Sequence, residues 1–545
     1  MKSDKSPSSV FARLARMHPA AWMMGLLIAA KALNFVKKIM IGKFYGVTFL
    51  ADAFFSASYL PYHAAIYFEG IIFLLFLPLL AEIRQKQGPA ESEKFSLFFG
   101  LVLLAGAALV SVLMALLAPW IIGELVPGFS ADERGLIVEL FRVMSFAVLL
   151  ISLCTFFQAM NSFSGRRIFS STSALTDAAV MIGVLTLTSG FGIQAAAWAS
   201  LAGALTAFFC QMGAWLRGRH FRFATPSLDA QKKWLRRLGG LIIPMGFLWA
   251  LQQCPFVILN RFASGMWAGT ISALSIAQTM TSVPMALVNQ TVLLAVLPLM
   301  ARQAYGQSAG SAEKTFFQTL KSSFVLLVPA GITLSALSRP VSVLFFSGGG
   351  ILPEGTARIA NCLSFFGFSL FALYADLFTS QSLVSAGRVW PALVLAATRA
   401  VMTYAIGYGL SSLWDYRGLA FSYSAGLLGN FFLFAPWFLA RFLNWRGWTA
   451  LFKTVFRAAG ASIPGLLVGF YAHHWTLREW MGFPASFTAF FLFAALALVV
   501  SSYAFLGRVF GLFDDLTGPG SGSKPGTTDN FPSCADYSVM AGDLA

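Results

Sequence analysis

Charge is what this chain has least of. Only 11% of its 545 residues are Asp, Glu, Lys or Arg, and acids are the scarcer sign, 22 against 38 basic residues. A water-soluble domain carries roughly a quarter of its residues charged, so that class is excluded. Hydrophobic residues take the place, at 57% with 55 Phe, and the mean hydropathy is +0.72. This is the composition of a polytopic membrane protein.

Other absences narrow the function. The five cysteines (Cys154, Cys210, Cys254, Cys362 and Cys534) form no C-x-x-C pair and stand near no histidine cluster, so neither a disulfide framework nor a metal site is indicated and no cofactor is expected. No Lys/Arg run with interleaved aromatics occurs, and the net charge of +16 therefore does not point to nucleic acid. There is no Ser/His/Asp set, no close carboxylate pair and no P-loop. Nothing suggests hydrolysis of ATP or of a substrate, and the chain is read as a transporter rather than an enzyme. No A-x-A-like site follows the first apolar run, so the basic segment 1–20 is expected to be a retained cytoplasmic tail. Period-2 alternation is also missing, which argues against a barrel.

What is present is a series of long apolar stretches. At about 20 residues per crossing, they fall near 21–46, 52–81, 95–125, 135–161, 168–190, 192–216, 238–263, 268–300, 315–338, 356–384, 390–412, 417–440, 451–472 and 484–511. The fold class expected is all-α and polytopic, with about fourteen transmembrane helices. Lys and Arg concentrate in alternate connections, among them Arg84, Lys86, Arg166, Arg167, Arg217 and Arg388, while 47–51, 189–193, 264–267 and 345–355 hold none. The positive-inside rule then places both termini in the cytoplasm. The Gly/Ser/Pro/Thr-rich tail 516–545 is too polar to bury a core and is expected to be disordered.

Two halves resemble each other at an offset of roughly 220 residues. "FLPLLAEIRQKQG" at 76–88 parallels "VLPLMARQAYGQ" at 296–307, and "QAMNSFSGRR" at 158–167 parallels "QSLVSAGR" at 381–388. The expected organisation is an N-terminal lobe of six helices (21–216), a basic cytoplasmic linker (217–237), a C-terminal lobe of six (238–440), and two further helices (441–515). Parallel repeats of this kind place substrate sites between the halves.

Ionisable residues at membrane depth are costly, and so are functional candidates. "KALNFVKKIMIGKFYG" at 31–46 carries Lys31, Lys37, Lys38 and Lys43. Lys31 and Lys38, seven apart, share a helix face near Asn34, and Lys37 lies about a third of a turn away. The second span adds Asp52, His63 and Glu69. For Lys43, snorkelling to the interface is the better reading, and Lys38 is equally read as a structural partner of Asp52. Spans 7 and 8 add Gln252, Gln253, Asn260, Arg261, Gln278, Asn289 and Gln290, which must line a cavity or bond between helices. Asp177, Asp376 and Arg399 are read as structural. A cationic, partly amphipathic cavity suits an anionic amphiphile with a phosphate or pyrophosphate head group.

Several ordered stretches make the resemblance specific: "LADAFFSASYLP" at 50–61, "FEG" at 68–70, "FLPLLAE" at 76–82, "APWII" at 118–122, "VPGFS" at 126–130, "ISLCTFFQAMNSFSGRR" at 151–167 and the long run 262–302. Together they resemble the MurJ (MviN) family of lipid II flippases. The resemblance implies the multidrug/oligosaccharidyl-lipid/polysaccharide exporter fold in the bacterial cytoplasmic membrane, and a groove for the lipid tail at the two C-terminal helices. It also implies a polyprenyl-pyrophosphate-linked saccharide as cargo, carried by alternating access, with a coupling ion or the membrane potential as driving force. The family's first-helix Ser-Arg-x-x-Gly-x-x-Arg-Asp pattern reads here Ala30, Lys31, Asn34, Lys37 and Lys38, so both cationic positions keep their charge. Its T-D-A-F-F and A-E-G acids are present as Asp52 and Glu69. Two departures stand out: "YHAAIY" at 62–67 replaces an arginine pair, and the eighth-helix A-D-R reads Ala277, Gln278, Thr279. Lys31, Asn34, Lys37, Glu69 and Arg261 are thus the substrate-binding candidates, and Asp52, Lys38 and Gln278 the gate or structural partners. The alternatives are an exopolysaccharide or other lipid-linked oligosaccharide flippase, which the missing arginines favour, and a non-transporting membrane scaffold for envelope synthesis.

Overall fold

The computed structural model describes residues 19–217, 227–305, 309–386, 388–439, 445–475, 477–509 and 512. Most of the N-terminal tail, the stretch 218–226 of the basic segment and the C-terminal tail lie outside the described residues. The described chain is helical, with a single isolated bridge between Gly348 and Ile351.

In chain order the main helices are α1 (Pro19–Tyr45), α2 (Phe49–Ile71), α3 (Pro89–Leu116), α4 (Ala131–Phe163), α5 (Ser173–Thr188), α6 (Ile193–Leu216), α7 (Leu228–Ala263) and α8 (Thr270–Tyr305). They are followed by α9 (Ala309–Ala336), α10 (Pro353–Phe368), α11 (Leu370–Ser385), α12 (Val389–Gly429), α13 (Trp445–Ala461), α14 (Ile463–His474) and α15 (Ala485–Val509). Because α7 already begins at Leu228, the basic residues Lys232, Lys233, Arg236 and Arg237 stand on a helix rather than in a linker.

Local chemistry explains several boundaries. Ser130 and Glu133 form a capping box at the start of α4: the Ser130 N–H donates to Glu133 Oε2 at 2.9 Å, and the Glu133 N–H to Ser130 Oγ at 3.4 Å. Downstream of α2 the chain passes through a π turn (Ile72–Phe76) into Leu77–Gln87, with Pro78 in the first turn where its missing N–H costs nothing. In α12 the helix breaks at Asp415, whose φ of 54° and ψ of −141° are far from helical. Val389–Leu439 spans 51 residues. As a helix that is about 75 Å, enough for two crossings of a ~30 Å core, and the break falls in the gap between the two expected spans.

By length and apolarity, eight helices among the described residues suffice to cross a membrane, or ten if the bent pairs α10/α11 (55°) and α13/α14 (47°) are one span each. The count of fourteen is not reached on that measure. α1, with its four lysines, is not among the eight. Apolar side chains face outward on the qualifying helices: only 22% of the most apolar window of α3 and 11% of that of α15 are buried inside the protein. Such surface requires lipid.

Contacts divide the chain into two compact units that are not contiguous halves. One comprises the described residues within 1–40, 61–116 and 141–227; the other takes in Ile41–Leu60, Leu117–Leu140 and the described residues from Leu228 on. The first unit is built on α5 against α6 and on an aromatic stack of Phe76, Phe95, Phe99 and Phe156. In the second, α7 lies along α12, and α9 packs on α8, α10 and α13. A cluster around Trp480, with Leu337, Val343, Ala472 and Ala495, ties α14 and α15 to the C-terminal bundle. The N–H of Trp480 donates to Ala472 O at 2.9 Å, so its burial leaves no orphan donor.

Candidate functional site

In the first unit the basic face of α1 is divided by burial. Lys31 is exposed and lies within electrostatic reach of Glu69 on α2, which is also exposed. Asn34, half-buried, donates to Ala30 O at 3.0 Å within its own helix. Lys37 is buried, and its ammonium donates to Asp177 Oδ2 of α5 at 2.7 Å. Lys38 is half-buried and faces His63 of α2. Tyr62, one residue earlier on α2, stands beside the Lys37–Asp177 pair, its hydroxyl bonded to Ser200 of α6. Two of these charges are matched across helices, Lys37 by Asp177 and Lys31 by Glu69, as low-dielectric surroundings demand.

Asp52 belongs to the second unit. Fully buried, its carboxylate accepts from the Gly269 and Ser272 N–H groups, each at 2.6 Å, and from the Ser272 hydroxyl. An acid on α2 therefore caps the N-terminus of α8, where unpaired N–H groups and the helix dipole favour a negative charge. This is what holds Asp52, in place of the pairing with Lys38 that spacing allows.

Around the cap, loops approach at glycine. Gly269 has a φ of 92°, and a Cβ there would run into the Val47 carbonyl. Gly46, at φ 74°, leaves no room for a Cβ beside Gly350 O, and the Gly350 N–H donates to Lys43 O at 2.7 Å. Gly128 donates to Ser264 Oγ at 3.0 Å and lies flush against Gly265. Arg261, one of the substrate-binding candidates, meets Glu124 Oε2 at 2.9 Å and Glu124 O at 2.8 Å. That pair is exposed, with side chains 49% and 63% accessible, and contributes little by itself. Gly269→Ala should cost about 1–3 kcal/mol from left-handed backbone strain alone, with the collision added. Thermal unfolding in detergent checks this, and an unchanged midpoint would mean that the loop relaxes freely.

A third cluster fills the second unit. Arg399 donates to Asp376 Oδ2 and, at 2.7 Å, to Gln252 O of α7, while Asn430 Nδ2 donates to Asp376 Oδ1 at 3.1 Å and Thr398 Oγ1 to Asn430 Oδ1 at 3.1 Å. Nearby, the Tyr59 hydroxyl donates to Gln253 Oε1 at 3.0 Å, and Gln278 is within hydrogen-bond range of the Tyr423 hydroxyl. Gln278 is thus a side-chain partner inside the bundle.

Of the sequence candidates, the fold gathers Lys31, Asn34, Lys37, Lys38 and Glu69 in one unit and Asp52, Arg261 and Gln278 in the other. Sequence reasoning marks Asp177 only as a structural residue and passes over Glu124. The signal for Asp177 is its position: a lone acid in "ALTDAAV" at membrane depth needs a cation. Among the described residues no group of three or more His, Cys, Asp or Glu side chains is arranged to hold a metal ion.

The family model described as lipid II flippase MurJ matches residues 41–491. A probable lipid II flippase MurJ of Rhizobium tropici is 23% identical over 466 residues, 83% of this chain and 86% of the relative. That of Rhizobium meliloti (strain 1021) is 26% identical over 357 residues, 64% of this chain and 66% of the relative. Among solved structures, a lipid II flippase MurJ in an inward closed conformation superposes with a TM-score of 0.68 at 17% identity, covering 90% of this chain and 98% of that one. A multidrug-resistance MATE family transporter of the MOP superfamily, in an inward-facing conformation, gives 0.55 at 14%, covering 80% and 95%. These likenesses establish an all-α transporter fold in a multi-pass membrane protein, and the match over 41–491 assigns the lineage: the chain belongs to the lipid II flippase MurJ family.

Proposed function

We propose that the protein moves a polyprenyl-pyrophosphate-linked saccharide of the lipid II type across the cytoplasmic membrane by alternating access, without altering it chemically. The observation that carries this reading is the family match over residues 41–491. Lys31 and Lys37, with Asn34 and Glu69 beside them, receive the head group. Arg261, paired with Glu124, remains a separate substrate-binding candidate. Both termini lie in the cytoplasm, because the basic connections lie on that side.

With that orientation, the glycine-lined loops around Asp52 face outward. We read the Asp52 cap on α8, the Gly128–Ser264 contact and the Arg261–Glu124 pair as the closed outer gate. Opening it breaks two short bonds from main-chain N–H groups to a charged acceptor, each worth roughly 1.5–3 kcal/mol, so substrate binding must supply that energy.

Complementation tests the reading. Expressed in a conditional lipid II flippase mutant, the protein should restore growth and precursor export when the resident flippase is depleted. Failure at normal membrane abundance would turn attention to the second reading, an exopolysaccharide or other lipid-linked oligosaccharide flippase. "YHAAIY" at 62–67 and Thr279 favour that reading, since arginines of the family pattern are missing there. Loss of surface polysaccharide on deletion, with peptidoglycan intact, would establish it.

A further inference from the structure

Asp177 is an acid held by very little. Its Oδ2 accepts one bond, from Lys37, and its Oδ1 is buried with no donor among the described residues. A carboxylate has about four acceptor sites, so most of this one's capacity is unused. The nearby hydroxyls are turned to each other, Tyr62 against Ser200, and Ser200 Oγ also lies 3.5 Å from Met181 Sδ. From α6, Gly203 presses on the carboxylate: a Cβ there would lie 2.8 Å from Oδ1 and 2.6 Å from Asp177 O. No room is left for another donor on that side.

The charged and titratable groups facing the pair come from three helices. They are Lys37 itself on α1, with Lys38 beside it and His63 beyond; Tyr62 on α2; and Cys154 on α4. Glu69, farther along α2, faces Lys31 and reaches Cys154. Among the described residues α6 contributes Ser200 and Gly203, with Cys210 within reach of Cys154. Lys37 is therefore the cation that balances Asp177.

We propose that Asp177 is the exchangeable counter-ion of Lys37, taking up a proton from solvent when a pyrophosphate head group takes the lysine. The proposal rests on the head-group reading above. With the site empty, Lys37 and Asp177 neutralise each other. If a phosphate arrived and Asp177 stayed ionised, two anions would share one buried ammonium, and an uncompensated buried charge is costly. Protonation removes that charge: the phosphate keeps Lys37, and a neutral carboxyl tolerates the donor-poor surroundings of Oδ1. The proton leaves again when the head group departs and the ion pair re-forms. One proton thus enters and leaves with each head group, and α1 is untied from α5 only while the site is loaded.

The test uses the full-length protein in detergent micelles and geranyl pyrophosphate as a soluble probe, titrated calorimetrically at about pH 8.5 in two buffers of different ionisation enthalpy. At that pH the probe's phosphates are ionised, so proton uptake reports the protein. Wild type should take up about one proton per probe bound, and its affinity should fall up to tenfold per pH unit as pH rises. Asp177→Asn should bind at least as tightly, take up none, and show a flat pH dependence. Binding by wild type without proton uptake, or equal uptake by Asp177→Asn, overturns the exchange and leaves the head-group site standing. If Asp177→Asn does not fold, Asp177→Ser in the same titration decides, because Lys38 beside the pair is a second group able to take up a proton there. No binding by well-folded wild type removes the head-group reading, and this inference with it.

Discussion

Replacing Arg399 with leucine is expected to destabilise the C-terminal bundle by about 3–5 kcal/mol, the usual cost of stranding one partner of a buried ion pair. The side chains of Arg399 and Asp376 are only 5% and 6% accessible, and Arg399 also ties α12 to the Gln252 carbonyl of α7. Without it, Asp376 keeps a single amide donor, from Asn430. The double variant Arg399→Leu, Asp376→Leu removes the stranded charge as well. It should recover more than half of the loss, because a buried pair replaced by apolar side chains of similar volume is often close to neutral. Thermal or denaturant unfolding of the purified variants reads both effects. A double variant as unstable as the single one would mean that the hydrogen bonds to Gln252 and Asn430, and not charge balance, hold these helices.

The same pair marks the boundary between what is legible in the amino-acid order and what is not. Within the described residues each expected apolar stretch is largely helical, because continuous apolar runs at this length have no other way to satisfy their backbone in lipid. Even the break at Asp415 falls where two expected spans are separated. The polar partnerships are far less legible. Lys37 meets Asp177 across 140 residues, Arg261 meets Glu124 across 137, and Asp52 meets Gly269 across 217. Composition marks each of these charges as needing a partner, but nothing local in sequence selects which acid or which helix end supplies it. The two units follow from the same limitation. Residues 41–60 belong by sequence to the first hairpin, yet they pack with the C-terminal helices, through contacts that single glycines permit.

The largest functional effect is expected at the lysines of α1. A pyrophosphate leaving water needs compensating positive charge, and a charge-assisted contact contributes roughly 1.5–3 kcal/mol. Removing one lysine should therefore weaken head-group binding by about tenfold or more. Lys31 is the cleaner test because it is exposed, so its loss does not disturb packing. At Lys37 the neutral variant also strands Asp177, and Lys37→Glu sets two acids face to face, so membrane abundance must be measured beside transport. Arginine at either position should serve as well or better, since its planar fork matches phosphate oxygens and restores the family residue. The expected order is wild type and Lys→Arg active, Lys→Gln weak and Lys→Glu inactive, read as export of lipid-linked precursor at equal abundance. Should Lys31→Gln and Lys37→Gln together export at the wild-type rate, the basic face of α1 is not the head-group site, and its charges serve only to join α1 to α2 and α5.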